Sequence, residues 1–304
     1  MHEFDIIRHY FRDRQLRPDV LLGPGDDAAI LQAPAGHELV MTLDTLVEGR
    51  HFPADLPAHA IGFRSLATNL SDLAAMGAEP AWCLLSLSLP EARPAWLDDF
   101  CAGFFALADR AGISLVGGDL VRGSLAISIQ ATGFVPAGQA LRRSGAQAGD
   151  LICIGGVPGE AAAGLAQWQG GTHDGELIER FCYPEPQLAL GRSLRGHASA
   201  CIDISDGLLA DLGHLLEESG GLGAEIELAR LPVSPSLATH DETQRLSWQL
   251  SGGDDYLLLF TLPSDQPLPS GCHLIGTACA EAGVRLHDRD GKALAYAAQG
   301  WQHF

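Results

Sequence analysis

At 304 residues, with 46% hydrophobic and 19% charged residues, the chain is long enough for about two domains, and its composition is neither disordered nor membranous. A formal net charge of −19 removes the basic face that nucleic acid or an anionic membrane needs, so neither is expected as a partner. The seven cysteines form an odd set without a C-x-x-C pair, which argues against disulfides or a cysteine zinc site and predicts buried, reduced thiols.

In chain order, the opening MHEFDIIRHYFRDR lacks the apolar stretch of a signal peptide, and no run nears the ~20 apolar residues of a membrane span. A soluble, cytoplasmic protein is expected. LGPGDDAAI at 22–30 is a glycine-rich turn of the kind that lets backbone amides approach an anion, yet it holds two carboxylates, Asp26 and Asp27. Its G-x-G-x-x-A spacing matches a dinucleotide fingerprint only weakly, because the acids would face the phosphates and no helix-length run follows.

Residues 38–47 alternate as a strand, with Val40, Thr42, Asp44 and Leu46 on one face and Met41, Leu43, Thr45 and Val47 on the other. Residues 60–76 carry apolar positions at helical spacing and stop at Gly77. A strand at 82–89, a helix at 93–112 and strands at 113–118 and 124–135 follow. The turn-rich stretch 136–150 separates two domains, taken as 1–137 and 138–304. Beyond it the pattern predicts strands at 151–156, 200–204, 224–228, 255–262 and 272–276, helices at 159–168, 185–195 and 206–219, and a hairpin turn at DRDG, 288–291. Both halves mix helices and strands, an α/β (α+β) organisation.

The chain has a single lysine, Lys292, in the turn-like DRDGKA. A Walker A loop needs lysine directly after its glycine, and a protein kinase needs one on an early strand, so both nucleotide-binding solutions are excluded. What the sequence offers instead is aspartate, in GPGDDAA, TLDTL, NLSDLAAMG, VGGDL, CIDISDGLL and LSGGDDYLL. Aspartate is a poor strand former and is rarely buried without compensation, so a cation is called for. Mg²⁺ suits the pattern, being hard, oxygen-ligated and commonly held by a few carboxylates plus substrate phosphates.

Plainer readings stand beside this one. Asp206 is equally a first-turn acid of helix 206–219 with Ser205 as its N-cap. Asp119 would also close a turn after Gly118, whereas Asp72, near a helix C-terminus, is opposed by the helix dipole and is not explained by capping. His51 and Trp301 taken singly are weak signals, and Arg142 and Arg143 sit in a polar segment where they are as readily solvated as phosphate-binding.

In order along essentially the whole chain, PGDDAA, TLDTLVEGRHF, NLSDLAAMGAEP, GGD, LRRSGAQAGD, IDISDGL, SGGDDY and the terminal HF resemble the thiamine-monophosphate kinases. Their superfamily also includes aminoimidazole-ribonucleotide synthetase and selenophosphate synthetase. The resemblance implies two α/β domains and a homodimer whose N-terminal sheets form a shared barrel. It implies transfer of the γ-phosphoryl of ATP to thiamine monophosphate, with several Mg²⁺ ions held by Asp27, Thr42, Asp44, Asp72, Asp119, Asp203 and Asp206. Gly118, Asp119, Arg143 and Ser205 would contact ATP, and His51, Asp254 and Trp301 would lie at the thiamine phosphate. The family usually has glutamate where this chain has Asp254, which shortens that contact by one methylene.

No catalytic base is implied, because the second pKa of a phosphate monoester, near ~6, leaves the acceptor oxygen largely anionic at neutral pH. Two alternatives remain. One is another ATP-using enzyme of the superfamily, such as an aminoimidazole-ribonucleotide synthetase. The other is a non-catalytic acidic protein binding Mg²⁺ or Ca²⁺.

Overall fold

The structure is a computed structural model that describes residues 3–12 and 14–294. It comprises two compact units: Met1–Leu73 with Ala78–Gly138, and Ala74–Gly77 with Gln139–Phe304. No described helix is long and apolar enough to cross a membrane.

In the first unit, α1 (Glu3–Ile6) runs into a π-helical stretch, Ile7–Arg12, and the short strands β1 (Val20–Leu22) and β2 (Ile30–Leu31) pair antiparallel around the GPGDDA loop. A strand and not a helix follows that loop, so the dinucleotide reading is excluded. Then come β3 (His37–Val47), α2 (Ala58–Ala75), β4 (Glu79–Leu89), α3 (Pro94–Ala111), β5 (Ser114–Arg122) and β6 (Ala126–Pro136). The four long strands make a sheet in the order β3-β6-β4-β5, antiparallel except for the β4–β5 pair.

The two-residue period of β3 divides its side chains between very different environments. Thr42, Asp44 and Leu46 lie opposite Ala131, Ile129 and Ile127, all three of which are fully buried. The alternate face leaves Leu39, Met41 and Leu43 of β3 exposed, together with Leu84 of β4 and Val121 of β5, and Met41 and Leu43 are each 65% exposed.

Helix α3 begins with Pro94, whose missing N–H costs nothing there, and stops at Gly112 in the left-handed conformation with its N–H on the Ala108 and Asp109 carbonyls. Helices α2 and α3 approach through two glycines, where a Cβ at Gly62 would collide with the Phe100 carbonyl and one at Gly103 with the His59 carbonyl. The obstacles are backbone, which cannot move aside as a side chain would.

The second unit contains β7 (Leu151–Ile154), α4 (Glu160–Gln169), α5 (Glu176–Cys182), α6 (Leu188–Leu194), β8 (Ala200–Asp203), α7 (Leu208–Glu218), β9 (Gly223–Glu227), α8 (Glu242–Ser251), β10 (Leu258–Leu262), β11 (His273–Cys279), β12 (Gly283–His287) and β13 (Ala293–Leu294). Its sheet runs β13-β12-β9-β11-β7-β10-β8, with only β12–β9 parallel. Leu208, Leu212, Leu215 and Leu216 of α7 share one apolar core with Ile152, Ile154, Ile202 and Leu259 of the sheet. Leu194 of α6 packs with Cys153, Cys201, Leu258 and Phe260 in another.

The cysteines are all free thiols, five of them buried, while Cys272 and Cys279 are half-buried, a partial departure from the expectation of seven buried thiols. Burial pushes the Cys83 thiol up to about 12. The Gly103 approach gives a direct test: Gly103→Ala is expected to lower stability by about 1–3 kcal/mol through overpacking, read as a lower urea midpoint with an unchanged slope.

Candidate active site

In the first unit, the alternation of β3 aims Thr42 and Asp44 at α2, where Thr68 and Asp72 meet them. The Thr42 hydroxyl donates a hydrogen bond to Asp72 Oδ2. Burial pushes the Asp44 carboxyl up to about 6, and the neighbouring charge of Asp72 adds to the rise, against a hydrogen bond from Thr68. Asp44 and Asp72 are both half-buried, so two like charges are held together where water screens them poorly.

The other candidates of this unit lie apart from the pair. Asp119 shares a register row with Ser86, Ser128 and Thr45, one row from Asp44, and so leaves the opposite face of the sheet, where it is exposed. Its neighbour Gly118 lies so close to β4 that a Cβ would collide with the Leu85 carbonyl. Asp27 is exposed in the loop between β1 and β2, with its N–H donated to Asp26 Oδ1 at 2.9 Å. His51 accepts the Val47 N–H on Nδ1 at 3.0 Å, which selects the neutral tautomer carrying its proton on Nε2.

In the second unit, the loops IDISDG and SGGDDY are joined into one hydrogen-bonded block. Asp203 is buried at the end of edge strand β8, and the chain then turns through Ser205 and Asp206, both half-buried. The Asp254 N–H donates to the Ser205 carbonyl at 2.9 Å and the Tyr256 N–H to the Ile204 carbonyl at 2.8 Å. Both donors have positive φ, 69° for Asp254 and 51° for Tyr256, a conformation that costs non-glycine residues and persists only where the surroundings enforce it. The Tyr256 hydroxyl donates to Asp254 Oδ1 at 3.0 Å, fixing that carboxylate. Arg143 is exposed, on a segment tied to β8 by the Cys201 N–H on the Arg142 carbonyl at 2.7 Å. Trp301 lies outside the described residues.

Against known families, residues 25–135 match the model described as AIR synthase related protein, N-terminal domain. Over 99% of its length and 98% of the relative's, the chain is 42% identical to a thiamine-monophosphate kinase of Salmonella typhimurium. The chain belongs to the thiamine-monophosphate kinase family. Among solved structures, a thiamine-monophosphate kinase from Stenotrophomonas maltophilia superposes with a TM-score of 0.85 at 45% identity, over 91% of this chain and 93% of that one. AaThiL complexed with AMPPCP and TMP superposes at 0.81 and 32% identity, over 92% and 91%.

The set around Asp44 is all oxygen, two carboxylates and a hydroxyl, which fits Mg²⁺ and not zinc. Among the described residues no group of three or more His, Cys, Asp or Glu is placed to hold a metal. Any Mg²⁺ would therefore complete its shell with water and phosphate oxygens, its usual habit.

Two carboxylates carry roles that the sequence motifs do not point to, Asp211 outside them and Asp255 within SGGDDY. Asp211, buried on α7, accepts the N–H groups of Ser205, Asp206 and Gly207 at 3.0, 3.0 and 3.1 Å. Helix α7 accordingly starts at Leu208 with Gly207 as its N-cap, so Asp206 is not a first-turn acid and Ser205 is not the cap. Asp255, also buried, accepts the Gly159 and Ala161 N–H groups at 2.6 and 3.1 Å and closes the N-terminus of α4. The only signal for either was a carboxylate embedded in an apolar run, LLADLGHLL and DDYLLLF.

Burial pushes Asp255 up to about 7 from an ordinary 3.8, against the pull of its two N–H donors. Because the folded value lies above the unfolded one, the stability this raised pKa contributes is present in full below about pH 4 and is lost as the pH rises through 7. In urea titrations the wild type is therefore expected to lose stability relative to Asp255→Asn between about pH 4 and 7. A difference that stays flat over that range would mean that the carboxyl is ionised throughout.

Proposed function

We propose that this chain transfers the γ-phosphoryl group of ATP directly to the phosphate of thiamine monophosphate, giving thiamine diphosphate and ADP, in the cytoplasm. The observation that carries the reading is the Asp44–Asp72 pair, an oxygen-only cradle for a divalent cation in a chain with one lysine.

Thr42, Asp44 and Asp72 would hold Mg²⁺, with Asp27, Asp119, Asp203 and Asp206 as further carboxylates for ions that accompany the nucleotide. When bound, Mg²⁺ neutralises charge along the triphosphate so that an anionic acceptor can approach in line. The Thr42 hydroxyl, donating to Asp72 Oδ2, orients that carboxylate. Gly118, which needs to lack a side chain because of the Leu85 carbonyl of β4, would offer its backbone to ATP next to Asp119. Arg143 and Ser205 complete the ATP contacts. His51, with its proton fixed on Nε2, donates to a phosphate oxygen of the substrate, which Asp254 and Trp301 also contact. None of these residues acts as a general base, since the acceptor oxygen is already ionised.

The working form is a homodimer. Strand β3 is both a long sheet edge and part of an exposed apolar face, and a second copy closing on Leu39, Met41, Leu43, Leu84 and Val121 removes both liabilities. Light scattering after gel filtration is expected to give a dimer for the wild type and a monomer for Leu43→Glu.

Phosphorus-31 NMR of ATP, Mg²⁺ and thiamine monophosphate with the protein is expected to show the monophosphate signal replaced by diphosphate resonances alongside ADP. ATP left intact, or split only to ADP and free phosphate, would overturn the assignment. Asp44→Asn and Asp72→Asn are each expected to cut turnover at limiting Mg²⁺ by at least about 100-fold, the upper range for weakening a metal site. Near-normal turnover in both would remove the pair from the metal site.

A further inference from the structure

The loop between β8 and α7 has the form of a phosphate-binding turn: a strand end, four residues finishing in glycine, then the N-terminus of an eleven-residue helix. Its three consecutive amides, Ser205, Asp206 and Gly207, converge on one point, as they would around a bound anion. That point is already taken by Oδ2 of Asp211, at 3.0, 3.0 and 3.1 Å, and Asp211 is 3% exposed. The chain has plugged its own anion nest with a carboxylate.

From this we infer that Asp211 is a positioning residue for nucleotide binding, a role that rests on the kinase reading above. With the amides consumed, the loop cannot hold phosphate by backbone N–H groups. Its carbonyls at Ile204 and Ser205 are consumed as well, by the Tyr256 and Asp254 N–H groups. What remains to offer is the Ser205 hydroxyl and the Asp206 carboxylate. Asp211 therefore converts a loop built to bind anions directly into one that meets a triphosphate through a hydroxyl and a cation-binding carboxylate, and it fixes where those two groups stand.

One alternative to this account predicts a different result. A capping role alone would make Asp211 a stability residue, whose loss lowers the urea midpoint and leaves ligand affinity per folded molecule unchanged. A positioning role moves affinity. The variants are Asp211→Asn, which keeps shape and an acceptor oxygen without charge, and Asp211→Ala, which keeps neither. The readouts are amide hydrogen exchange at 205–207 and calorimetric titration with Mg²⁺ and a non-hydrolysable ATP analogue, scaled to the folded fraction.

The expected result is faster exchange at all three amides and affinity for the Mg²⁺-bound analogue reduced at least tenfold in Asp211→Asn and further in Asp211→Ala. Unchanged exchange, or unchanged affinity with a lowered urea midpoint, would overturn the inference. Should both variants fail to fold, Gly207→Ala displaces the same loop with Asp211 intact, because Gly207 has φ 119° and its Cβ would press on the Ser251 backbone. Wild-type affinity in that variant would equally overturn it. If the affinity falls as expected while the wild type makes no thiamine diphosphate, the loop assignment stands and it is the kinase reading that fails.

Discussion

Two carboxylates held side by side are the constraint around which the first unit is organised. Ionised Asp44 and Asp72 repel, and their half-buried setting strengthens the repulsion and denies them full hydration. The fold maintains them by fixing each on a different rigid element, a strand of eleven residues and a helix of eighteen. Helix α2 is itself held against α3 by the close approach at Gly62 and Gly103, where a Cβ would collide with backbone carbonyls. Rigidity of this kind keeps charges from relaxing apart, and a divalent cation gains most where ligands have no other way to lower their energy.

The second unit solves a related problem with the opposite sign of exposure. Its buried carboxylates, Asp211 and Asp255, are satisfied by backbone amides and shape loops, while Asp206 and Asp254 stand partly open. The strain at Asp254 and Tyr256 is carried by hydrogen bonds to Ile204 and Ser205, so the two motif loops stabilise each other. The Asp254 carboxylate is braced by the Tyr256 hydroxyl, which fixes its reach.

Strong periodicity made much of this legible. The alternation of β3 placed Thr42 and Asp44 on one face, and the apolar spacing of α2 placed Asp72, which the structure bears out. Boundaries shifted where side chains took over backbone groups: the strand expected from 255 begins at Leu258, after residues with positive φ, and the helix expected from 206 begins at Leu208, after the amides claimed by Asp211. Helix α8, ETQRLSWQLS, was not foreseen because its face is mostly polar, and its start depends on Asp241 accepting the Gln244 N–H at 3.0 Å. That Asp119 leaves the sheet on the far side from Asp44 was beyond reach, because it follows from pairing across four strands and not from spacing along one.

Strand β3 carries the oxygens of Thr42 and Asp44 on one side and the exposed side chains of Leu39, Met41 and Leu43 on the other. Sliding the strand by a single residue against β6 would exchange them, turning Leu43 toward Asp72 and Asp44 into the apolar strip. The carboxylate cluster and the exposed apolar side chains thus occupy opposite phases of the same eleven residues. An insertion or deletion of one residue within 37–47 would therefore misplace both sets at once.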